Sequence, residues 1–124
     1  MKNFFKRSGL AKLDDLNFPK EKINWPEPWW CLEQNLLLRR KMQKALNLEI
    51  GPKHPLWGLK PVVIGKTDAN DDVIVHLSSQ TFACVHLLWT GKHDMFPAEN
   101  PATEIFEKVS ELQLFLEQKA GEYS

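Results

Sequence analysis

Between Lys60 and Gly91 the chain reads KPVVIGKTDANDDVIVHLSSQTFACVHLLWTG, three apolar runs separated by two turn signals. Runs this short, bounded by Asp, Asn and Ser, describe strands of a small sheet. Its polar interruptions are Asp68, Asp71, Asp72, His76 and His86. Strand one runs from about Lys60 to Thr67, where Pro61 belongs at the first position or on an edge because it donates no ladder hydrogen bond. Strand two, Asp72 to Leu77, and strand three, Thr81 to Trp89, are joined through Ser78-Ser79-Gln80 as a hairpin. Strand three alternates Phe82, Cys84, His86 and Leu88 with Ala83, Val85, Leu87 and Trp89. Both sets are largely apolar, so both faces of the sheet should be covered.

The hairpin carries a spatial prediction. A two-residue turn sets His86 opposite Asp71, and a three-residue turn sets it opposite Asp72. Either register brings a carboxylate to the imidazole. Such a pair can orient a histidine for acid–base work or as a metal ligand, and it can equally pin strand register.

The 124 residues fit one domain with a real core. Sixteen basic residues balance sixteen acidic ones, so the basic excess typical of duplex-binding proteins is missing and nucleic acid is disfavoured as a partner. No apolar run approaches the roughly 18 residues of a membrane span. The start, MKNFFKRSGLAKLDD, lacks the continuous apolar segment of a secretory signal, which gives a cytoplasmic expectation with no membrane contact. Cys31 and Cys84 stand far apart in apolar contexts, as buried reduced thiols do.

Residues 1–24 read as an arm that packs through a few aromatic anchors, and residues 25–121 as a single α+β domain. Pro26 and Pro28 make a rigid entry segment, with Pro28 suited to the first position of a helix. That helix is predicted over Trp29 to about Leu48, with Cys31, Leu38, Met42, Ala45 and Leu46 on its buried stripe. Arg39, Arg40, Lys41 and Lys44 then fall in its second half, where the helix dipole favours cations. In the following loop His54 stands between Lys53 and Pro55, Leu56 and Trp57 plug the core, and Gly58 supplies a turn conformation barred to other residues. The aspartates of Asp68-Ala69-Asn70-Asp71 read as turn formers.

Beyond Gly91 two assignments compete. Ile105, Val109, Leu112 and Leu116 have the spacing of one helix from Asn100 onward. Alternatively Ser110 and Gln113 form a capping box that starts the helix there and leaves Thr103 to Glu107 as a fourth strand, which is the preferred reading. Gly121 marks the helix end. The expected fold is therefore α+β, a three- to four-stranded antiparallel sheet with a long helix before it and a helix after it. An open edge at strand one or strand four is where another chain would pair, and Pro61 argues against strand one; oligomeric state stays open.

Four segments occur in order: HPLWG at His54 to Gly58, DANDDVI at Asp68 to Ile74, VHLLWTG at Val85 to Gly91, and PATE at Pro101 to Glu104. This succession resembles a widespread group of small bacterial proteins with HPL-aromatic-G, D-x-x-DD, VHL-polar-W-[ST]-G and P-x-T-E motifs. The group has no assigned enzyme activity. The resemblance covers roughly residues 32–115 and implies a compact α+β domain in a bacterial cytosol. Where relatives tend to have threonine after VHL, this chain has Leu88.

No H-E-x-x-H, Walker loop, G-x-S-x-G or G-x-G-x-x-G is present, and the aspartates lack the glycine and distal glutamate of an EF-hand. No cofactor or metal is implied. Five tryptophans are many for 124 residues. Trp25, Trp29, Trp57 and Trp89 are candidate binding aromatics, with core filling as the plainer role. Together these features point to a non-enzymatic binding or accessory protein with a protein partner, such as an inhibitor of the bacterial toxin-immunity kind. The alternative is a small hydrolase or metal-dependent enzyme using His86 with Asp71 or Asp72, with His54 as an optional third member. A third reading is single-stranded nucleic acid stacked on tryptophans.

Overall fold

The computed structural model describes residues 10, 17–77, 80–89 and 103–123. Its elements run β1 (Trp29–Cys31), α1 (Leu36–Glu49), β2 (Val62–Thr67), β3 (Asp72–His76), β4 (Phe82–His86), β5 (Thr103–Phe106) and α2 (Val109–Tyr123). The strands form one antiparallel sheet in the order β1-β2-β3-β4-β5. The class is α+β as expected, with five strands in place of three or four.

The additional strand comes from Trp29-Trp30-Cys31, which the sequence reading placed in the first turn of the helix. Two tryptophans before a cysteine suit a half-buried pleated surface better than a helix, and β1 pairs Trp29 with Thr67 and Cys31 with Gly65. The helix begins only at Leu36, where Asn35 caps it by accepting the Leu38 N–H at 3.2 Å. Pro28 therefore precedes a strand. Arg39, Arg40 and Lys41 fall in the first half of α1, and no base stands in its last turn. The dipole account of those bases fails, because the N-terminal half of a helix disfavours cations.

Alternation along the strands sorts the core into two layers. Val63, Val73, Val75, Ala83, Val85 and Leu87 meet Met42 and Leu46 of α1 on one face. Ile64, Ile74, Phe82, Cys84 and Phe106 meet Leu112, Phe115 and Leu116 of α2 on the other. Both faces are covered, which explains why strands β3 and β4 read as near-continuous apolar runs. Leu56 is fully buried in the α1 layer and Trp57 packs against it, while Gly58 turns the chain at φ +89°.

A β-bulge interrupts β2: Val63 pairs with Val75, but Gly65 pairs with Ile74. One extra residue reverses the alternation. Ile64 and Gly65 consequently serve the same layer, and Lys66 opposite Val73 turns toward the α1 side. Gly65 has no room for a side chain, because a Cβ there would lie inside the Trp25 ring and 3.0 Å from the Trp30 carbonyl. This packing explains both the glycine and the partly buried Trp25.

The edge reading of Pro61 also changes. Its strand is interior, flanked by β1 and β3, but β1 reaches only residues 65 to 67. Side chains of α1 take over where β1 stops. Gln43 accepts the Val63 N–H at 2.8 Å and donates to the Pro61 carbonyl at 2.9 Å. Arg39 donates through Nε to the Val63 carbonyl at 2.7 Å and through its other arm to the Asn17 carbonyl at 3.3 Å. Its guanidinium lies over the Phe18 ring, 4.9 Å from the centroid.

Thr103 to Phe106 is a strand, as preferred, but α2 does not open with a Ser110–Gln113 box. Gln113 instead bridges to Asn24, accepting from its N–H at 2.9 Å and donating to its carbonyl at 2.8 Å. Glu111 takes the capping role by accepting the Glu107 N–H at 2.9 Å. Gly121 does not end the helix, which continues to Tyr123 because that ring packs on Trp29 at 6.4 Å between centroids.

Gln43→Ala leaves the Val63 N–H and the Pro61 carbonyl buried without partners. At about 1–3 kcal/mol for each of the two unsatisfied groups, the variant is expected to lose roughly 2–6 kcal/mol in urea unfolding. A loss below about 1 kcal/mol would show that water replaces the side chain at this edge.

Candidate functional site

The hairpin adopts the three-residue register, with Asp72 opposite His86. His86 Nδ1 lies 2.8 Å from Asp72 Oδ1, and the histidine side chain is 44% exposed. Asp71 is not the partner; its carbonyl accepts the Leu87 N–H at 3.0 Å, extending the ladder by one step. The predicted facing pair exists, but as a surface pair at the end of the sheet on the α2 side. Exposed pairs of this kind contribute little to stability, about 0–1 kcal/mol.

His54 is not part of it. Its Nδ1 accepts the Leu56 N–H at 3.1 Å, which places the ring proton on Nε2, 3.4 Å from Thr103 Oγ1. Thr103 pairs with Val85, whose side chain belongs to the α1 layer, whereas the next residue along, His86, points to the other face. His54 is buried and on the opposite side of the sheet from His86. Of the groups named in the enzyme reading, His86 and Asp72 meet and His54 lies apart from them. His76 stands at the far end of β3 against Phe82, 5.1 Å between ring centroids. Among the described residues, no three His, Cys, Asp or Glu side chains are placed to hold a common metal ion.

Asp68 to Asp71 form the turn between β2 and β3, and the side chains that bond its backbone are those of Thr67 and Asn70. Asn70 accepts the Asp72 N–H at 2.8 Å, and Thr67 Oγ1 accepts the Ala69 N–H at 3.1 Å. Asp68 instead accepts from Trp30 Nε1 at 3.0 Å and from Lys66 Nζ at 3.2 Å. The Trp30 hydrogen bond, then that of Lys66, holds its carboxyl below the ordinary range. Beside it open two shallow hollows sharing Glu27, Pro28 and Asp68, about 440 Å³ toward Tyr123 and about 350 Å³ toward Trp29. Cys84 lies near Asp72 on the same face but is buried, and desolvation followed by the charge of Asp72 raises its thiol well above the usual value. A thiol in this setting is protonated and a poor nucleophile.

The tryptophans divide between scaffold and surface. Trp29 is 1% exposed between Phe115 and Tyr123, Trp25 is spent on Gly65, and Trp57 packs on the α1 layer. Trp89 is 44% exposed, although its place in the strand alternation predicts burial. The reason is Glu49, at the last position of α1. Its carboxylate is buried and accepts the Leu88 N–H at 2.9 and 3.1 Å and the Trp89 N–H at 2.7 Å. Trp89 takes φ +59° and the chain leaves the sheet, presenting the indole at the surface.

A left-handed conformation at a bulky residue costs about 1–3 kcal/mol and persists only where the surroundings enforce it. The Glu49 clamp is that enforcement. Beside the indole lies a hollow of about 220 Å³ lined also by Lys41, Lys44, Ala45 and Leu48. Sequence reasoning singled out Trp89 but missed Glu49, since nothing in a helix-terminal glutamate signals a partner 40 positions away. A carboxylate at the negative end of a helix, contrary to the dipole, was the available sign. His93 and Asp94 lie outside the described residues.

Glu49→Ala is expected to destabilise by roughly 1–3 kcal/mol. Amide exchange at Leu88 and Trp89 should accelerate at least about tenfold, beyond any global change. The raised Cys84 thiol stabilises the fold below the ordinary cysteine pKa, and this contribution is lost as pH rises through its higher folded value. A Cys31→Ser variant should show no rapid reaction with a disulfide reagent near pH 8 until denaturant is added; fast native reaction would contradict the burial. A comparison of the chain with protein-family models, with curated proteins and with solved structures finds no match.

Proposed function

We propose that this chain is a non-enzymatic binding protein that occupies a protein partner's surface through Trp89, and that it acts as an accessory inhibitor of the toxin-immunity kind. The observation that carries the binding reading is the Glu49 clamp: a buried carboxylate holds Trp89 at φ +59° with its indole 44% exposed. A rigid exposed tryptophan supplies a large contact area with little conformational entropy left to lose, which is why the residue recurs at binding hot spots. A tryptophan needed only for the core would sit with Leu87 in the α1 layer. The dispersal of His54 from the His86 and Asp72 pair removes support from the hydrolytic alternative.

The inhibitor reading is tested with the product of the gene adjacent to its own. Where that gene encodes a toxin, the purified chain is expected to bind the toxin and protect against it. Trp89→Ala should weaken binding about 30-fold, the effect of losing a hot spot of ~2 kcal/mol, without changing the unfolding midpoint. Absence of binding, or a Trp89→Ala variant that binds equally well, would defeat the proposal.

A further inference from the structure

The solvent face of α1 carries a stripe that the fold does not use. Leu37, Lys41, Lys44 and Leu48 follow one another at spacings of four, three and four, so they lie along one line of the helix. Leu37 is 84% and Leu48 42% exposed. The line covers roughly 16 Å at 1.5 Å per residue. Arg40 borders it, and Trp89 stands beside its Leu48 end in the shared hollow.

Among the described residues the three bases have no ion-pair or hydrogen-bond partner in the fold. The ion pairs among the described residues join Lys66 to Asp68, His86 to Asp72 and Lys119 to Glu122, and none involves Arg40, Lys41 or Lys44. The carboxylate bordering the hollow, Glu49, is occupied by the main chain of Leu88 and Trp89. Arg40 and Lys41 also sit where the helix dipole opposes them. In a chain of 16 bases and 16 acids, this concentrates positive charge on a single face.

We infer that this stripe, together with Trp89, binds an acidic protein segment whose carboxylates alternate with apolar side chains. The inference rests on the binding function proposed above and names the chemistry of its partner. Carboxylates meet Arg40, Lys41 and Lys44, apolar groups meet Leu37 and Leu48, and one anchor fills the hollow beside Trp89. A phosphodiester backbone offers nothing apolar for two leucines at opposite ends of the row. A helix that lies in a lipid surface separates its apolar residues from its bases, whereas here they share one line.

The test uses the full chain and a fluorescent synthetic peptide about 20 residues long with Glu and Leu on one helical face, against a control with Lys in place of Glu. The acidic peptide is expected to bind at low salt, and to bind at least about tenfold more weakly near 0.3 M salt, as screening removes the charge attraction. The combined variant R40E/K41E/K44E should lose at least about tenfold in affinity with its melting unchanged, and should then prefer the lysine control. The inference is overturned if the acidic peptide fails to bind at low salt or binds the reversed variant equally. It is overturned as well if an oligothymidylate or anionic phosphatidylglycerol vesicles compete the peptide away. Failure here is distinguishable from failure of the binding function: a toxin held through Trp89 equally by the native and charge-reversed chains would refute the acidic partner alone.

Discussion

The sheet depends on how α1 closes the open half of β2. A three-residue β1 cannot cover a six-residue neighbour, and the uncovered half lies beneath the helix, where water cannot take its place. Gln43 supplies one acceptor and one donor at the spacing of a missing strand, and Arg39 supplies a further donor to the Val63 carbonyl. The helix therefore meets the sheet through a polar seam as well as through Met42 and Leu46. Hydrophobic packing alone would tolerate sliding along the sheet. Fixed donors and acceptors do not, so the seam sets the position of everything else on α1, including Glu49 at its end.

Burying Arg39 has a consequence for its own charge. Desolvation lowers the pKa of the guanidinium, and among the described residues its hydrogen-bond partners are carbonyl oxygens, with an aromatic face beneath it. A carbonyl neutralises less of a charge than a carboxylate would, but it does not add a second ion to bury. Asn17 and Phe18, from the segment before β1, complete the seat. Part of the region that reads as an arm is thereby built into the helix-to-sheet joint.

Legibility in the sequence followed the range of the interaction. Period-two alternation showed β3 and β4, and the hairpin geometry narrowed the partner of His86 to two adjacent aspartates, one of which is correct. Local patterns misled where tertiary packing overrides them. Trp29 to Cys31 looked like a helix start because no glycine or proline separates them from α1. Ser110 and Gln113 matched a capping box, but Asn24, 89 positions earlier, claimed the glutamine. The bulge at Val63 to Gly65 left a single trace, a glycine among β-branched residues, and the ring that fills the space over that glycine, Trp25, was 40 positions away. His54 and His86 looked like one cluster because sequence order says nothing about which face of a sheet a loop returns to.

Trp89 shows how one distant contact turns a core residue into a presented one. Ala83, Val85 and Leu87 are buried in the α1 layer, and continuing β4 by two residues would bury the tryptophan with them. Glu49 prevents this by capturing consecutive N–H groups, an arrangement that a straight strand cannot offer because its successive N–H groups point to opposite sides. The carboxylate thus ends β4 and aims the indole in the same act. Leu88 contributes to this through its main chain, and its own side chain is partly exposed. The identity of the side chain at position 88 is therefore not what the clamp requires. The backbone N–H groups do the binding, so the segment from Val85 to Trp89 needs its spacing to Glu49 more than a particular side chain at Leu88.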